Sequence, residues 1–146
     1  MEWVLEQSPF VVRRRVKWGE CDPANAVYTP WFSEYVISAV MLFYEQLAGE
    51  NFEAMRARFG IDLPTRGLRL DFTGTLQPDQ LFDMTVTVGE LRSRSYDLNV
   101  IARRPDGDPV FSAVLSPICV ARNRRVGFAI PDGFRDLLVA RKDRIP

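Results

Sequence analysis

The sequence of 146 residues contains no histidine. A chain without histidine cannot use a Ser-His-Asp triad, a Cys-His pair or a histidine general base. The commonest zinc ligand is also missing, and two isolated cysteines, Cys21 and Cys119, do not replace it. Any catalysis within the chain therefore depends on carboxylates, tyrosine, lysine, cysteine or backbone dipoles, and no metal site is expected.

An excess of charge of one sign and long apolar runs are absent as well. Lys and Arg together number 19, as do Asp and Glu, so the net charge is zero and no nucleic-acid partner is expected. No run of about 18 apolar residues occurs, and acids stand early in MEWVLEQSPF, so neither a membrane span nor a signal peptide is expected. Two cysteines are too few for a disulfide framework. We expect a single cytoplasmic domain over residues 1–146.

The strongest pattern predicts a helix over residues 30–47. Pro30 suits the first helical turn, Thr29 suits the N-cap, and Gly49 is typical of a helix end. The flanks of the apolar stripe are also largely apolar, which indicates a helix buried on most sides. The stripe consists of Phe32, Tyr35, Val36, Ala39, Val40, Phe43 and Leu47.

The remaining segments alternate mainly as strands do. Residues 9–18 predict a half-buried strand in which Arg14 falls on the apolar face and needs a partner, for example across a subunit interface. Further strands are predicted in 68–73, 82–88, 96–100 and 110–122, the last with a bulge or an edge position at Pro117, and residues 104–109 predict a hairpin turn. Short helices are predicted over 52–59 and 133–141. The order indicates an α+β fold, with a curved antiparallel sheet wrapped around one long central helix.

The candidate site is the loop that leads into the long helix. Its carboxylate Asp22 lies near a helix N-terminus, where free N–H groups stabilise negative charge and can hold a developing oxyanion. A carboxylate beside such donors can carry out acyl transfer without histidine. A structural role is the alternative, because Asp-Pro starts turns and Asp often caps helices. Nearby Glu20 is expected to face solvent or to pair with an arginine.

The segment RVKWGECDPANAVYTPWF, residues 15–32, resembles the signature of the 4-hydroxybenzoyl-CoA thioesterase family, a branch of the hotdog-fold thioesterases. That signature reads roughly as an aromatic residue, Gly, Asp or Glu, Cys or Thr, Asp, Pro, Ala and Gly, then apolar and aromatic residues and a Pro that starts a helix. The element order also fits the hotdog topology across nearly the whole chain. Two positions differ: Asn25 replaces the usual Gly, and Thr29 replaces the Tyr of the main branch. Asn tolerates a positive φ better than most residues.

The resemblance implies specific roles. Asp22 aligns with the catalytic aspartate, which attacks the thioester carbonyl or activates a water, and the backbone N–H of Thr29 would polarise the carbonyl oxygen. Coenzyme A is then part of the substrate and no other cofactor is implied. Members of this fold form dimers or tetramers, so the site would be shared between subunits. The substrate contacts implied are Asn25, Tyr28 and Trp31 near the acyl group, and Arg92 and Arg94 at the CoA phosphates.

The expected function is hydrolysis of an acyl-CoA thioester to a free acid and CoA. One alternative is an enzyme of the same fold that acts on acyl carrier protein, for which loss of Arg92 and Arg94 would have little effect. A second alternative is a non-catalytic module that binds acyl-CoA without turnover. Asp22 argues against the second, because a binding module needs no carboxylate facing the thioester.

Overall fold

The computed structural model describes residues 1–142 and places one long helix, α1 (Pro30–Ala48), against one face of a six-stranded antiparallel sheet. The strand order in this sheet is β1-β2-β5-β6-β7-β4. A second sheet pairs β3 with β8, and two shorter helices complete the described part of the chain. The remaining elements are β1 (Glu2–Gln7), β2 (Phe10–Arg15), α2 (Phe52–Phe59), β3 (Ile61–Asp62), β4 (Thr65–Phe72), β5 (Leu81–Leu91), β6 (Tyr96–Arg103), β7 (Pro109–Pro117), β8 (Val120–Ala121) and α3 (Asp132–Lys142).

Helix α1 confirms the predicted apolar stripe, and each of the seven stripe residues is buried. The helix ends at Gly49, whose φ of 69° is left-handed and whose N–H donates to the Glu45 carbonyl at 2.9 Å. Thr29 is the N-cap residue, as predicted, but its side chain does not cap the helix. Thr29 already has helical dihedrals, φ −45° and ψ −45°, and its side chain makes no capping hydrogen bond. An N-cap side chain reaches the first-turn amides from an extended backbone, which Thr29 does not have.

The strands follow the predicted alternation where one face packs on α1. Along β5, the buried residues are Phe82, Met84, Val86 and Val88, and the residues between them lie on the outer face. Strands β6 and β7 continue the same inner face through Leu98, Val100, Phe111 and Ala113. The sheet therefore supplies the apolar surface that buries the helix. Within residues 1–142, no helix combines the length and apolarity that crossing a membrane requires.

Two strand predictions need correction. Strand β1 was not predicted, because Trp3, Val4 and Leu5 are consecutive apolar residues without alternation, yet it pairs with β2 along the sheet edge. The segment 110–122 forms two strands rather than one, but the irregularity predicted at Pro117 is present, because the β4–β7 register shifts between Thr65 and Gly67, opposite Pro117 and Ser116. Strand β7 stops at Pro117, and the chain then leaves the large sheet so that β8 pairs with β3. Proline has no N–H to continue the ladder, which accounts for the break.

Strand β4 forms the other edge of the sheet and is mostly exposed. Its apolar side chains Leu68 and Phe72 lie opposite Leu115 and Phe111 of β7, so they are on the inner face, yet both remain exposed. The loop from Thr73 to Gln80 connects this edge to β5 and runs beside the segment that precedes α1: the Val27 N–H donates to the Leu76 carbonyl at 2.9 Å. The edge of the sheet and the start of the helix therefore meet.

The alternation along β5 predicts a contrast between neighbouring substitutions. Met84→Ala removes a fully buried side chain and should lower the free energy of unfolding by about 2–5 kcal/mol. Thr85→Ala, one residue along on the outer face, should cost less than about 1 kcal/mol. Urea unfolding of both variants measures the difference, and equal losses would contradict the assigned faces.

Candidate functional site

The loop from Cys21 to Val27 is closed by its own backbone. Cys21 and Val27 form an isolated antiparallel bridge, and the Asp22 N–H donates to the Ala26 carbonyl at 2.8 Å. The Asn25 N–H donates to the Asp22 carbonyl at 2.9 Å. The Tyr28 N–H donates to the Glu20 carbonyl at 2.9 Å, which closes the neck of the loop just before α1 begins. The loop therefore holds Asp22 close in space to the helix start.

The Asp22 carboxylate uses one oxygen to hold this loop. Its Oδ1 accepts hydrogen bonds from the Ala24 N–H at 2.8 Å and the Ala26 N–H at 3.3 Å. Within residues 1–142, Oδ2 has no hydrogen-bond partner, and the residue is only half-buried. Asp22 thus does not cap α1; it orders its own loop and leaves one oxygen available for chemistry.

The start of α1 leaves one backbone donor open. The Trp31 N–H donates to the Tyr28 carbonyl at 2.9 Å, the Phe32 N–H donates to the Thr29 carbonyl at 3.1 Å, and Pro30 has no N–H. In the described part of the chain, no group accepts a hydrogen bond from the Thr29 N–H. An open N–H at a helix N-terminus carries a positive partial charge and suits an oxyanion. The family resemblance assigns this N–H to the carbonyl oxygen of the substrate, and that role stays a prediction.

A cavity of about 180 Å³ adjoins that donor. Phe72, which is 47% exposed, lies at the sheet edge, so the cavity lies beside this edge. Tyr28 and Trp31 are not among its lining residues: Tyr28 is 57% exposed, and Trp31 packs half-buried on the core. Their contact with substrate stays a prediction. The lining residues are Ala26, Val27, Thr29, Phe32, Phe72, Gly74, Thr75 and Leu76.

Arg14 has the partners that its place on the apolar face requires, and both lie within the chain rather than across a subunit interface. Its Nη2 donates to Oε2 of Glu20 at 2.6 Å and its Nη1 to Oε2 of Glu2 at 3.0 Å. Glu20 is only 3% exposed, and its pairing with an arginine was one of the two predicted outcomes. Burial alone would raise the pKa of Glu20, but hydrogen bonds from the Lys17 N–H, Arg14 and Tyr35 outweigh it and lower that pKa below its ordinary value.

Arg92 lies in the turn between β5 and β6, where acidic neighbours already neutralise it. Its Nη2 donates to Asp97 at 2.5 Å, its Nη1 to Glu90 at 3.1 Å, and its Nε to the Ser95 hydroxyl at 2.8 Å. The hydrogen bond from Arg92 lowers the pKa of Asp97. A phosphate would compete with these carboxylates for Arg92, so its role as a CoA contact stays a prediction.

Arg94 is in a more open position in the same turn. Within residues 1–142 its guanidinium has no carboxylate partner, and its backbone carbonyl accepts the Cys119 N–H at 2.7 Å. A second basic turn lies alongside, because Val120 bridges to Gly127 around Arg124 and Arg125. The structure therefore joins two exposed basic turns into one surface.

The structure does not bring these arginines to Asp22 within one chain. The segment before α1 contacts the beginning of β5, since the Val16 N–H donates to the Gln80 carbonyl at 2.9 Å. Arg92 and Arg94 follow the end of β5, 11 residues further along. At up to 3.4 Å per residue the two ends lie on the order of 30 Å apart. One chain thus holds two separate halves of the predicted site.

Comparison with known proteins identifies the family. The model of the thioesterase-like superfamily matches residues 16–138, and the chain belongs to this superfamily. Among curated proteins, none matches the sequence. Many solved structures share the fold, which is the hotdog fold that the sequence predicted.

Three of these structures illustrate the likeness. A thioesterase-superfamily protein from Jannaschia sp. is 22% identical, with a TM-score of 0.85 over 97% of this chain and 96% of that one. The 4-hydroxybenzoyl-CoA thioesterase from Pseudomonas sp. strain CBS-3 is 19% identical, with a TM-score of 0.76 over 87% and 96%. A hypothetical protein from Staphylococcus aureus, solved in complex with CoA, is 15% identical, with a TM-score of 0.84 over 93% and 85%.

The loop geometry generates a test at Asn25, whose φ of 60° confirms that this position is left-handed. Asn25→Gly should change the free energy of unfolding by less than about 0.5 kcal/mol, whereas Asn25→Val should lower it by about 1–2 kcal/mol, because a β-branched residue is strained there. Ala24→Val places the same side chain at the preceding exposed position and serves as the control. If Asn25→Val costs no more than Ala24→Val in urea unfolding, the loop conformation is wrong.

Proposed function

We propose that this chain hydrolyses acyl-CoA thioesters to a free acid and coenzyme A. One observation carries the proposal: a carboxylate with a free oxygen, Asp22, lies in the closed loop that leads to an open helix-start donor, the Thr29 N–H, and an apolar cavity adjoins that donor. Membership of the thioesterase-like superfamily supports the same reaction. Cys21 and Cys119 are both unpaired, which supports a reducing compartment such as the cytoplasm.

The reaction follows from where charge develops. The thioester carbonyl oxygen would accept a hydrogen bond from the Thr29 N–H, which stabilises the negative charge of the tetrahedral transition state. Asp22 would then act in one of two ways. As a nucleophile, Oδ2 attacks the carbonyl carbon, the CoA thiolate leaves, and water hydrolyses the resulting anhydride. As a general base, Oδ2 takes a proton from the attacking water and the proton passes to the departing thiolate. Both routes consume one water and need no further cofactor.

The cavity supports a compact acyl group. A cavity of about 150 Å³ holds a benzene molecule, and this one measures about 180 Å³ beside the Thr29 donor. Phe32 and Phe72 provide aromatic walls, and Leu76 and Val27 provide aliphatic ones. An aromatic or a short branched acyl group fits this volume.

A homodimer would join the two halves of the site. Strand β4 is an open edge with exposed Leu68 and Phe72, which suits pairing with a second copy. If two copies of β4 pair antiparallel about a two-fold axis, the Phe72 end of one lies opposite the Thr65 end of the other. The Thr65 end adjoins the basic turns, because the Ile118 N–H donates to the Pro64 carbonyl and Ser95 bridges to Ile118. Arg94 of the partner subunit would then approach the cavity and bind CoA phosphates. Two such dimers could form a tetramer.

The first prediction from this proposal concerns the carboxylate. Asp22→Asn keeps the Oδ1 acceptor that orders the loop and removes the charge, so hydrolysis of the preferred acyl-CoA should fall by about 100-fold or more, equivalent to about 2.7 kcal/mol of barrier. Thiol release from a panel of aromatic, short aliphatic and long aliphatic acyl-CoAs measures the rate. Substrate-free blanks correct for reaction of Cys21 and Cys119 with the thiol reagent.

Asp106→Asn is the matched control, because Asp106 also accepts a backbone N–H within its own turn, 2.9 Å from the Asp108 nitrogen, but lies in the β6–β7 turn. It should leave the rate unchanged. Full activity of Asp22→Asn would remove Asp22 from the mechanism. If acyl carrier protein thioesters alone turn over and Arg94→Ala has no effect, the substrate is a carrier protein. Tight thioester binding without any turnover would indicate a binding module instead.

The second prediction isolates the backbone donor. Thr29→Pro removes the N–H at a φ of −45°, near the range that proline adopts, and should lower kcat by about 10²–10³-fold. Thr29→Ala keeps the N–H and removes only the hydroxyl, so kcat should stay within about threefold. Thermal unfolding checks that both variants remain folded. Equal kcat values for the two folded variants would contradict the role of this N–H.

A further inference from the structure

Glu20 is a buried carboxylate that the proposed reaction does not use. It is 3% exposed and lies in a short 3-10 turn, Trp18–Glu20, between β2 and the Asp22 loop. A buried charge costs free energy unless it is paired and hydrogen-bonded. Its position beside the loop is therefore a feature that requires an explanation.

The Glu20 side chain connects the sheet to the helix. Its Oε2 accepts from Arg14 of β2 at 2.6 Å, and its Oε1 accepts from the Tyr35 hydroxyl of α1 at 2.9 Å and from the Lys17 N–H at 2.8 Å. The Arg14 guanidinium also lies over the Tyr35 ring, 4.7 Å from its centroid. One carboxylate thus fixes the distance between the end of β2 and the first turns of α1.

The Glu20 backbone connects to both reactive groups. Its carbonyl accepts the Tyr28 N–H at 2.9 Å, and Tyr28 directly precedes Thr29. In the other direction the chain continues through Cys21 to Asp22. The carboxylate and the open N–H are therefore attached on either side of the same fixed residue.

We propose that Glu20 is a positioning residue. Its hydrogen bonds to Arg14, Tyr35 and the Tyr28 N–H fix the position of the Asp22 carboxylate relative to the Thr29 N–H. This rests on the proposed function for its effect on rate, but the anchoring of the loop does not depend on any activity. A displacement of about 1 Å at a reacting group can cost about 100-fold in rate. Tyr35 matters most here, because it lies on the helix whose start carries the donor.

The test compares two buried tyrosines of α1. Tyr35→Phe removes the hydroxyl that donates to Glu20, whereas Tyr44→Phe removes a hydroxyl that pairs with Tyr96 at 2.5 Å, further along the same helix. Both substitutions delete one buried hydrogen bond. We expect Tyr35→Phe to lower kcat by about 10-fold with KM within about twofold, and Tyr44→Phe to leave kcat unchanged even if it lowers stability. Equal kcat values for the two variants would overturn the proposal.

A double-substitution cycle tests whether Glu20 acts through the reacting groups. Glu20→Gln keeps the shape of the side chain and places an amide beside the three donors, so kcat should fall by about 100-fold. In the Asp22→Asn background, the further losses from Glu20→Gln and Tyr35→Phe should be clearly smaller than in the unsubstituted protein, because only the Thr29 N–H is then left to position. Fully multiplicative losses would show that the network supports only the fold, and would overturn the positioning role.

Hydrogen exchange provides a readout that needs no turnover. In Glu20→Gln and Tyr35→Phe, the amides of Ala24, Ala26 and Tyr28 should exchange faster, because their acceptors are Asp22 and Glu20. In Tyr44→Phe their exchange should match that of the unsubstituted protein. If the unsubstituted protein hydrolyses no thioester while these amides respond, the proposed function fails and the anchoring stands. Unchanged exchange in Glu20→Gln and Tyr35→Phe overturns the inference, whatever the activity.

Discussion

The burial of helix α1 is the constraint on which the structure depends. Its apolar stripe and flanks leave few positions that tolerate water, so the sheet must enclose it. The stripe residues are buried along the whole helix, although Ile37 on the opposite side is 42% exposed. Just before the helix, Tyr28 and Thr29 are exposed, and β4 is an open edge. An unpaired backbone donor can persist only at such a boundary. The same packing that forms the core therefore leaves the Thr29 N–H open.

Two charged side chains, Arg14 and Glu20, are largely buried beside the start of α1, and their burial costs free energy. Arg14 lies on the inner face of β2, and Glu20 follows it into the interior, so each would be strongly unfavourable without the other. Their pairing, extended by Tyr35, converts this cost into a rigid connection between sheet, loop and helix. Asp22 is spared burial and keeps one free oxygen, since the loop satisfies only Oδ1. The structural carboxylate, Glu20, and the proposed reacting carboxylate, Asp22, are thus only two residues apart but have different environments.

The sequence predicted the parts of this arrangement that are local. Within α1, and within each alternating strand, a single hydrophobic period runs from end to end, so the local sequence is enough to predict the element. The motif around Asp22 and Thr29 is also one contiguous segment. Strand β1 could not be predicted, because Trp3, Val4 and Leu5 do not alternate with polar residues. The end of β7 at Pro117 could not be predicted either, because β8 pairs with β3 in the second sheet. The partner of Arg14 and the separation of Arg94 from Asp22 are tertiary facts, because sequence periodicity does not specify which strand ends meet.

The most direct measurement of the central claim is the crystal structure of the Asp22→Asn variant with a bound acyl-CoA that it does not hydrolyse. The account predicts the thioester carbonyl oxygen about 3 Å from the Thr29 nitrogen, the carbonyl carbon facing the side chain at position 22, and the acyl group in the cavity lined by Phe32 and Phe72. The phosphates should reach Arg94 of the partner subunit. A thioester bound away from Thr29, or a protein group bonded to the Thr29 N–H, would contradict it.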